Sequence, residues 1–227
     1  MVTGWLQERT IGSARLVVNK ARPQKRNPAR TADAILRAAK VEFAAKGLSG
    51  ARIDEIARRA ATNKRMIYHY FGNKDALYLA VLEQAYVALR SNEGDLSLDG
   101  LKPAEAIAAL VRSNIDYRAQ HPELISLINN ENLHRARHLK KSKLVRKLHS
   151  PLIATIERIL ERGAADGVFR NGVDPVQLYI SIAALGYFYC SNNWTLSAIF
   201  GRDLMAPRAL SARREHMVEM VQGYLRP

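Results

Sequence analysis

The sequence predicts an all-α protein, in which a small three-helix domain containing a helix-turn-helix unit precedes a larger helical domain. Two observations support this fold class. Apolar residues recur at intervals of three and four along most of the 227 residues, and no segment shows a convincing strand-like alternation. In residues 52–71, two short amphipathic stretches flank a tight turn. Because 48% of the residues are hydrophobic, we expect a substantial buried core.

Positive charge is concentrated in three parts of the chain, and the net charge at pH 7 is +14. Residues 1–30 contain seven Lys and Arg residues against one Glu, and residues 31–75 contain nine against five acids. Residues 135–147, which we call the basic island, contain seven and no acid. A charge run alone usually indicates a solvated face. Beside a helix-turn-helix unit, however, this charge favours a polyanionic partner, with nucleic acid first and an acidic membrane surface second.

The chain divides into three predicted parts. Residues 1–30 mix Gly, Pro, Asn and cations without periodicity, which predicts a flexible basic arm. Such an arm either tracks phosphates or enters a minor groove, or else it is an inert tail. Residues 31–76 are predicted to form the helix-turn-helix domain, and residues 77–227 the second domain.

Three helices are predicted in the first domain. The first has Thr31 as its N-cap and ends at Gly47, and the third has Asn63 as its N-cap and ends before Gly72. The second carries an inner face of small and branched apolar residues. Their ranges are residues 31–47, 52–60 and 63–70.

Six further helices are predicted in the second domain. Prolines fit this reading, because Pro103 suits a first helical turn and Pro122 stops the helix before it. Residues 91–102 are rich in Gly, Asp and Ser and are predicted to be a loop. The basic island is interpreted as a loop or the start of a helix. The predicted ranges are residues 74–90, 103–121, 123–133, 142–166, 175–200 and 211–225.

The helix-turn-helix reading depends on three features. Ala57 supplies the small residue where the two helices approach each other, and a set of apolar side chains holds them together. The start of the third helix carries exposed polar and cationic residues, as a helix that enters the major groove requires. Two of them, Lys64 and Arg65, have little other evident use. This pattern predicts a DNA-binding unit.

The surrounding sequence resembles a known family. The runs ILRAAKVEFAAKG, IDEIARRA and MIYHYFGNKDAL, within residues 31–80, closely resemble the DNA-binding domain of the TetR/AcrR family of bacterial regulators. The resemblance implies a homodimer that binds a palindromic operator on double-stranded DNA. It also implies a C-terminal domain that binds a small-molecule inducer, so that the protein acts as a repressor released by that inducer.

The resemblance also assigns roles to residues by position. It implies that Lys74 binds a phosphate from the start of the fourth helix, and that Tyr68 and Tyr70 contact a phosphate or a thymine methyl group. For Tyr70, packing inside the domain is an open alternative. Arg pairs well with guanine and Asn with adenine at base edges. The predicted DNA-binding set is Arg52, Asn63, Lys64, Arg65, Tyr68, His69, Tyr70 and Lys74.

The chain departs from the family pattern at two places. Ala61 stands where the family has its turn glycine, and Thr62 follows where the family has a hydrophobic residue. A positive φ at Ala61 would strain the backbone there. The usual Ser or Thr cap of the second helix is also missing, since Ala51 precedes Arg52. This puts a hydroxyl–phosphate contact in doubt, and Arg52 could replace it as a cation.

The second domain shows a weaker resemblance to the branch of the family that contains the pyrimidine regulator RutR, through short runs such as His121-Pro122 and Asp174-Pro175. Polar residues that interrupt buried helices mark a candidate pocket for a small, partly aromatic, neutral or anionic ligand. The alternative is that these groups are satisfied within the core or a dimer interface. The candidate ligand-binding residues are Asn114, Tyr117, Arg118, Asn130, Tyr187, Asn193 and Trp194.

The last two predicted helices are expected to form the dimer through a four-helix bundle. The ligand is expected to move the helix that starts at residue 74, and thereby to change the separation of the two DNA-binding units. The predicted dimer-interface residues are Leu178, Ile182, Leu185, Ile199, Met217, Met220 and Val221.

Several classes of protein are disfavoured by the sequence. The single cysteine, Cys190, excludes a disulfide framework and fits a reducing cytoplasm. We expect no metal site and no cofactor, because the one HxxxH spacing, His134 to His138, lies among cations. No catalytic motif is present, so the protein is not expected to be an enzyme. No apolar run is long enough to cross a bilayer. The main rival is a non-specific architectural DNA-binding protein without an inducer.

Overall fold

The computed structural model describes residues 28–227, apart from the side chain of His149. Only the last three residues of the predicted basic arm lie within this range. The described residues form ten α-helices, two short 3₁₀ turns at Leu98–Gly100 and Leu139–Lys141, and no strand, which confirms the all-α prediction. The helices are α1 Pro28–Gly50, α2 Ile53–Arg59, α3 Lys64–Phe71, α4 Lys74–Gly94, α5 Pro103–Gln120, α6 Pro122–Leu133, α7 Lys143–Ala165, α8 Pro175–Ser191, α9 Asn193–Phe200 and α10 Pro207–Leu225.

The first three helices and the start of α4 form a compact head. Its core contains Ile35, Phe43, Ile56, Ile67 and Leu77, all fully buried. The apolar spacing along each helix places these side chains on one face, and the faces converge because each helix is too short to be stable alone. The head therefore presents α3 from a rigid core.

The C-terminal domain is built around α5, which packs against α4, α7, α8 and α10. Two features join it to the head. Helix α4 runs from the core of the head into the core of the C-terminal domain, where Leu89 is buried. Helix α6 packs on α1, and its Leu127 is fully buried within the core of the head. None of the helices in residues 28–227 is both long enough and apolar enough to cross a membrane.

The longest predicted helix, residues 175–200, is in fact two. Helix α8 ends at Ser191, because the side-chain amide of Asn193 donates to the Cys190 carbonyl at 2.7 Å, and that of Asn192 donates to the Phe188 carbonyl at 3.0 Å. The Asn193 side chain thus takes the Cys190 carbonyl, which a continuous helix would bond through its backbone, while the Phe188 carbonyl still accepts the Asn192 N–H at 3.1 Å. The sequence prediction missed this break.

Helix α4 continues to Gly94, four residues beyond the predicted end at Arg90, so that Glu93 is helical rather than part of a loop. Helix α10 begins at Pro207 rather than at residue 211, because Pro207 occupies the first turn, where its missing N–H costs nothing. The other predicted boundaries in the second domain lie within one residue of those observed, and the first helix extends three residues further at each end.

Candidate nucleic-acid interface and ligand cavity

The head holds its second helix through a buried carboxylate on α1. Glu42 accepts hydrogen bonds from the Lys46 ammonium at 2.7 Å and from the Arg52 N–H at 3.3 Å, and the Arg59 Nε lies 3.9 Å away. Burial alone would raise the pKa of Glu42, but these three groups hold that pKa below its ordinary value. The Arg52 backbone is therefore fixed at the start of α2, while its side chain is exposed.

Helix α3 begins with a standard cap and then exposes its cations. The Asn63 side chain accepts from the Met66 N–H at 3.0 Å, so its amide oxygen is occupied by the cap. The Lys64 ammonium forms an ion pair with Asp54 at 2.6 Å. Among residues 28–227 no group pairs with the exposed Arg65 guanidinium, which leaves all its donors available to a ligand.

The aromatic residues of α3 divide between surface and interior. Tyr68 and His69 are exposed, whereas Tyr70 is half-buried and packs against the core of the head. The packing alternative for Tyr70 thus describes its position in the free protein. Lys74 is half-buried at the start of α4, where its ammonium donates to the Ser49 carbonyl at 3.4 Å.

The turn between α2 and α3 carries the strain that the departure from glycine suggested. Ala61 has φ 49°, in the left-handed region that costs an L-residue roughly 1–2 kcal/mol. The turn is fixed by backbone hydrogen bonds from Ala61 to the Arg58 carbonyl at 3.2 Å and from Thr62 to the Ala57 carbonyl at 3.0 Å. The Thr62 hydroxyl is buried without a hydrogen-bond partner among the described residues.

Asn130 lies at the joint between the head and the C-terminal domain. Its Oδ1 accepts from the Leu48 N–H and from the Tyr78 hydroxyl, each at 3.1 Å. The other side of the amide covers Gly47, where a Cβ would lie 2.4 Å from Asn130 Nδ2. Gly47 also has φ 65° and ψ 177°, which only glycine adopts readily, and it kinks α1. The Asn130 amide, which was predicted to bind a ligand, is thus occupied by groups of α1 and α4.

Replacing Asn130 by alanine should lower the free energy of unfolding by about 1–3 kcal/mol, because the buried Leu48 N–H loses its acceptor. Urea denaturation followed by circular dichroism measures this change. Asn129→Ala is the matched control, since the neighbouring amide bonds Tyr187 and Ser191 near the surface. Equal losses for the two variants would contradict a special role for Asn130.

A cavity of about 590 Å³ lies between the second half of α4, the loop of residues 95–102 and α7. Two charged side chains on one face of α4, Arg90 and Glu93, lie on its wall and are otherwise buried. They form an ion pair with each other, and Arg90 also donates to the Tyr179 hydroxyl from α8. The cavity is partly open, and its wall combines apolar side chains with several charged and hydroxyl groups, a mixture that can hold a small molecule.

Behind this wall, the buried polar cluster continues into α5. The Arg118 guanidinium donates to the Asn114 carbonyl at 2.9 Å, while its Nε and both atoms of the Asn114 amide lack hydrogen-bond partners among the described residues. Burial raises the pKa of Glu93, against the opposing effect of Arg90 and Arg118, and burial lowers the pKa of Arg118. With Glu93 ionised, the cluster holds two guanidinium groups against one carboxylate.

The other predicted pocket residues are not brought together. Tyr117 packs on His121 with ring centroids 4.2 Å apart, and the Tyr187 hydroxyl donates to Asn129. Asn193 caps α8, and the Trp194 side chain is 83% exposed on α9. None of the seven predicted residues lines the 590 Å³ cavity.

The sequence prediction did not include Arg90 and Glu93 among the ligand-binding residues, although their spacing could have indicated them. Two opposite charges three positions apart on one helix predict an ion pair. Placing residues 91–102 in a loop removed Glu93 from α4 and hid that spacing.

The predicted dimer residues lie in three different places. Ile182 and Met217 are fully buried within the protomer, where they belong to its core. Leu178, Leu185, Met220 and Val221 line a cleft of about 510 Å³ between α8 and α10, beside Phe188 and Tyr224. Ile199 is exposed on α9 and lies outside this cleft.

Two family models match the chain. One, described as "Bacterial regulatory proteins, tetR family", matches residues 35–81, and the other, "Tetracyclin repressor-like, C-terminal domain", matches residues 103–221. The HTH-type transcriptional repressor NicS of Pseudomonas putida is 40% identical over 180 residues, which cover 79% of this chain and 85% of that protein. The HTH-type transcriptional regulator RutR of Escherichia coli is 27% identical over 202 residues, which cover 86% of this chain and 90% of that protein.

Solved structures show the same likeness. The crystal structure of a regulator from Streptomyces coelicolor, SCO4942, superposes with a TM-score of 0.67 at 27% sequence identity. The superposition covers 87% of this chain and 99% of that one.

Proposed function

This chain belongs to the TetR family of bacterial transcriptional regulators, and from that premise we propose that it is a homodimeric repressor released from a palindromic operator by a small molecule. The observation that carries the proposal is the exposed face of α3. The unpaired Arg65 guanidinium projects from the start of the helix whose counterpart reads base edges in helix-turn-helix proteins. The chain is a DNA-binding transcriptional regulator by family, and the repressor role, the inducer and the operator symmetry are the proposed parts.

The residues of α3 have different roles in this proposal. Arg65 binds a base edge, where its fork of donors matches guanine. The side-chain oxygen of Asn63 accepts the capping hydrogen bond, which leaves its NH₂ group free to bind DNA. Lys64 exchanges its ion pair with Asp54 for a phosphate or base. Arg52, Tyr68, His69, Tyr70 and Lys74 complete the surface.

The dimer is proposed to form through α8 and α10. Ile180, Phe188, Met220 and Tyr224 are large apolar side chains that are 47–59% exposed on these two helices. Exposed apolar groups of this kind, beside the apolar cleft, mark an interaction surface. A two-fold axis through it places the same patch on both subunits, as an isologous dimer requires.

The small molecule is proposed to bind in the 590 Å³ cavity, against Arg90 and Glu93. The excess of guanidinium over carboxylate in the buried cluster favours a ligand with an anionic group. Because α4 forms one wall of this cavity and carries Lys74 at its other end, ligand binding can shift the head. A thermal-shift screen of small organic acids against their neutral amides tests this, because only a true ligand raises the melting temperature by mass action.

Selection of bound sequences from a pool of random DNA duplexes tests the proposed function directly. We expect a two-fold symmetric sequence, with half-sites separated by about one helical turn, roughly 34–36 Å, or a multiple of it. A protein that enriches no sequence would be a non-specific architectural DNA-binding protein, and the operator proposal would fail.

Arg65→Ala is expected to weaken operator binding by about 1–3 kcal/mol and to relax the base preference at one position of each half-site. Lys74→Ala is the matched comparison, because a phosphate contact should weaken binding to all duplexes alike and lower the salt slope by about one. Titration of selected and random duplexes with both variants measures this. If Arg65→Ala reduced the affinity for both duplexes equally, Arg65 would contact only the phosphate backbone.

A further inference from the structure

The basic island lies beside the DNA-facing end of α4. Arg137 forms an ion pair at 3.2 Å with Asp75, the residue after Lys74 in the first turn of that helix. The ring of the buried His138 packs on Tyr78, one turn further along α4, with centroids 5.0 Å apart. The island thus adjoins the head, although the chain reaches it only after α5 and α6.

All seven cations of the island are exposed. Only the Arg137 guanidinium pairs with a carboxylate of the described residues, and that carboxylate is itself half exposed. Seven like charges within thirteen residues repel one another unless counterions or a polyanion neutralise them. These cations are Arg135, Arg137, Lys140, Lys141, Lys143, Arg146 and Lys147.

The backbone beneath these cations is fixed by buried polar groups. The Glu131 carboxylate accepts from the His138 and Leu139 N–H groups at 2.8 and 3.0 Å, and it contacts the His138 ring at 2.8 Å. Ser142 caps α7 through Val145 and donates to Glu83 of α4 at 2.6 Å. These two carboxylates, from α6 and α4, therefore bond groups within the island and hold its backbone in place beneath the cations.

We propose that the basic island is a second DNA-contacting surface, which binds backbone phosphates next to the half-site held by α3. The proposal rests on the proposed DNA-binding function and adds a surface outside the helix-turn-helix. The Lys side chains of the island bind a phosphate as point charges. The island therefore contributes affinity and salt dependence but no sequence preference.

The test compares charge removal at the island with charge removal elsewhere. K140A/K141A removes two exposed cations, and K140R/K141R keeps both charges. K102A/R226A is the matched control. These exposed cations lie outside the island, just before α5 and just after α10, where Gln222 donates to the Ala104 carbonyl at 3.0 Å. Binding to a random duplex of about four helical turns, ~40 base pairs, is measured over a range of salt concentrations.

We expect K140A/K141A to flatten the plot of log Kobs against log salt by about 0.9 for each phosphate that the variant no longer neutralises, up to about four phosphates in a two-headed complex. K140R/K141R and K102A/R226A should keep the wild-type slope, and all variants should keep the wild-type melting temperature. An unchanged slope for K140A/K141A, or an equal change in the control, overturns the proposal.

The two failures are distinguishable. Selection from random DNA by the wild-type protein tests the operator, independently of the island. If a symmetric sequence is selected but K140A/K141A leaves the salt slope unchanged, only the proposal for the island is refuted. If no sequence is selected but K140A/K141A flattens the salt slope, only the operator proposal is refuted, and the island remains a DNA-binding surface.

Discussion

Arg90→Met is expected to lower the free energy of unfolding by about 3–5 kcal/mol at neutral pH, because it leaves the buried carboxylate of Glu93 without its nearest cation. Methionine approximates the length of the arginine stem, so the decrease reports the charge more than the packing. Urea denaturation at fixed ionic strength measures it. The double variant Arg90→Met/Glu93→Gln removes both charges and should recover much of the stability.

The loss in free energy of unfolding caused by Arg90→Met should also depend on pH. Burial raises the pKa of Glu93 even with Arg90 present, and removing Arg90 raises it further. A folded-state pKa above the unfolded value means that the folded protein binds the proton more tightly. The destabilisation by ionised Glu93 is therefore complete above its raised folded-state pKa. It disappears as pH falls below about 4.3, the ordinary pKa of Glu. A deficit of the same size at pH 4 and pH 8 would show that the change in packing dominates.

Glu131→Ala should lower the free energy of unfolding by about 2–6 kcal/mol, since two backbone donors lose their acceptor and each orphaned buried donor costs about 1–3 kcal/mol. The effect should be local as well as global, because this carboxylate fixes the start of the basic island. Hydrogen exchange at the His138 and Leu139 amides should accelerate more than exchange in the core of α5. Chemical denaturation gives the global change.

Glu131→Gln is the matched control for this second prediction. Its amide keeps one carbonyl acceptor for the two N–H groups but replaces the other carboxylate oxygen with a donor, so an intermediate decrease in stability is expected. If Glu131→Ala stayed within about 0.5 kcal/mol of the wild type, the range of ordinary surface substitutions, the carboxylate would not hold the island in place.

Much of the head could be predicted from sequence, because its determinants are local. The period of apolar residues placed α1, α2 and α3, and Asn63 and Gly72 marked the limits of α3. The absence of glycine at Ala61 predicted strain, and its φ of 49° confirms it. The exposure of Arg65 followed from its position on the polar side of a short amphipathic helix.

The interior of the C-terminal domain could not be predicted in the same way. Asn130 reads as a polar interruption in a buried helix, but its partner Leu48 is 82 positions away in sequence. The sequence pattern placed Arg90 at the end of a helix, but its guanidinium donates to the hydroxyl of Tyr179, which is 89 positions away in sequence. Ile182 and Met217 fit a dimer face by pattern, yet the protomer itself buries them. Periodicity identifies a buried face without identifying what covers it.

The sequence by itself determined the all-α class, the helix-turn-helix with its exposed cations, and the family to which the chain belongs. Each of these depends on residues within a few helical turns of one another, where spacing and side-chain type are sufficient. Only the tertiary structure decided that Arg90 and Glu93 line the cavity, that Asn130 joins α6 to the head, and that the basic island adjoins Asp75. These are contacts between helices far apart in the chain, and their geometry depends on how all the helices pack together.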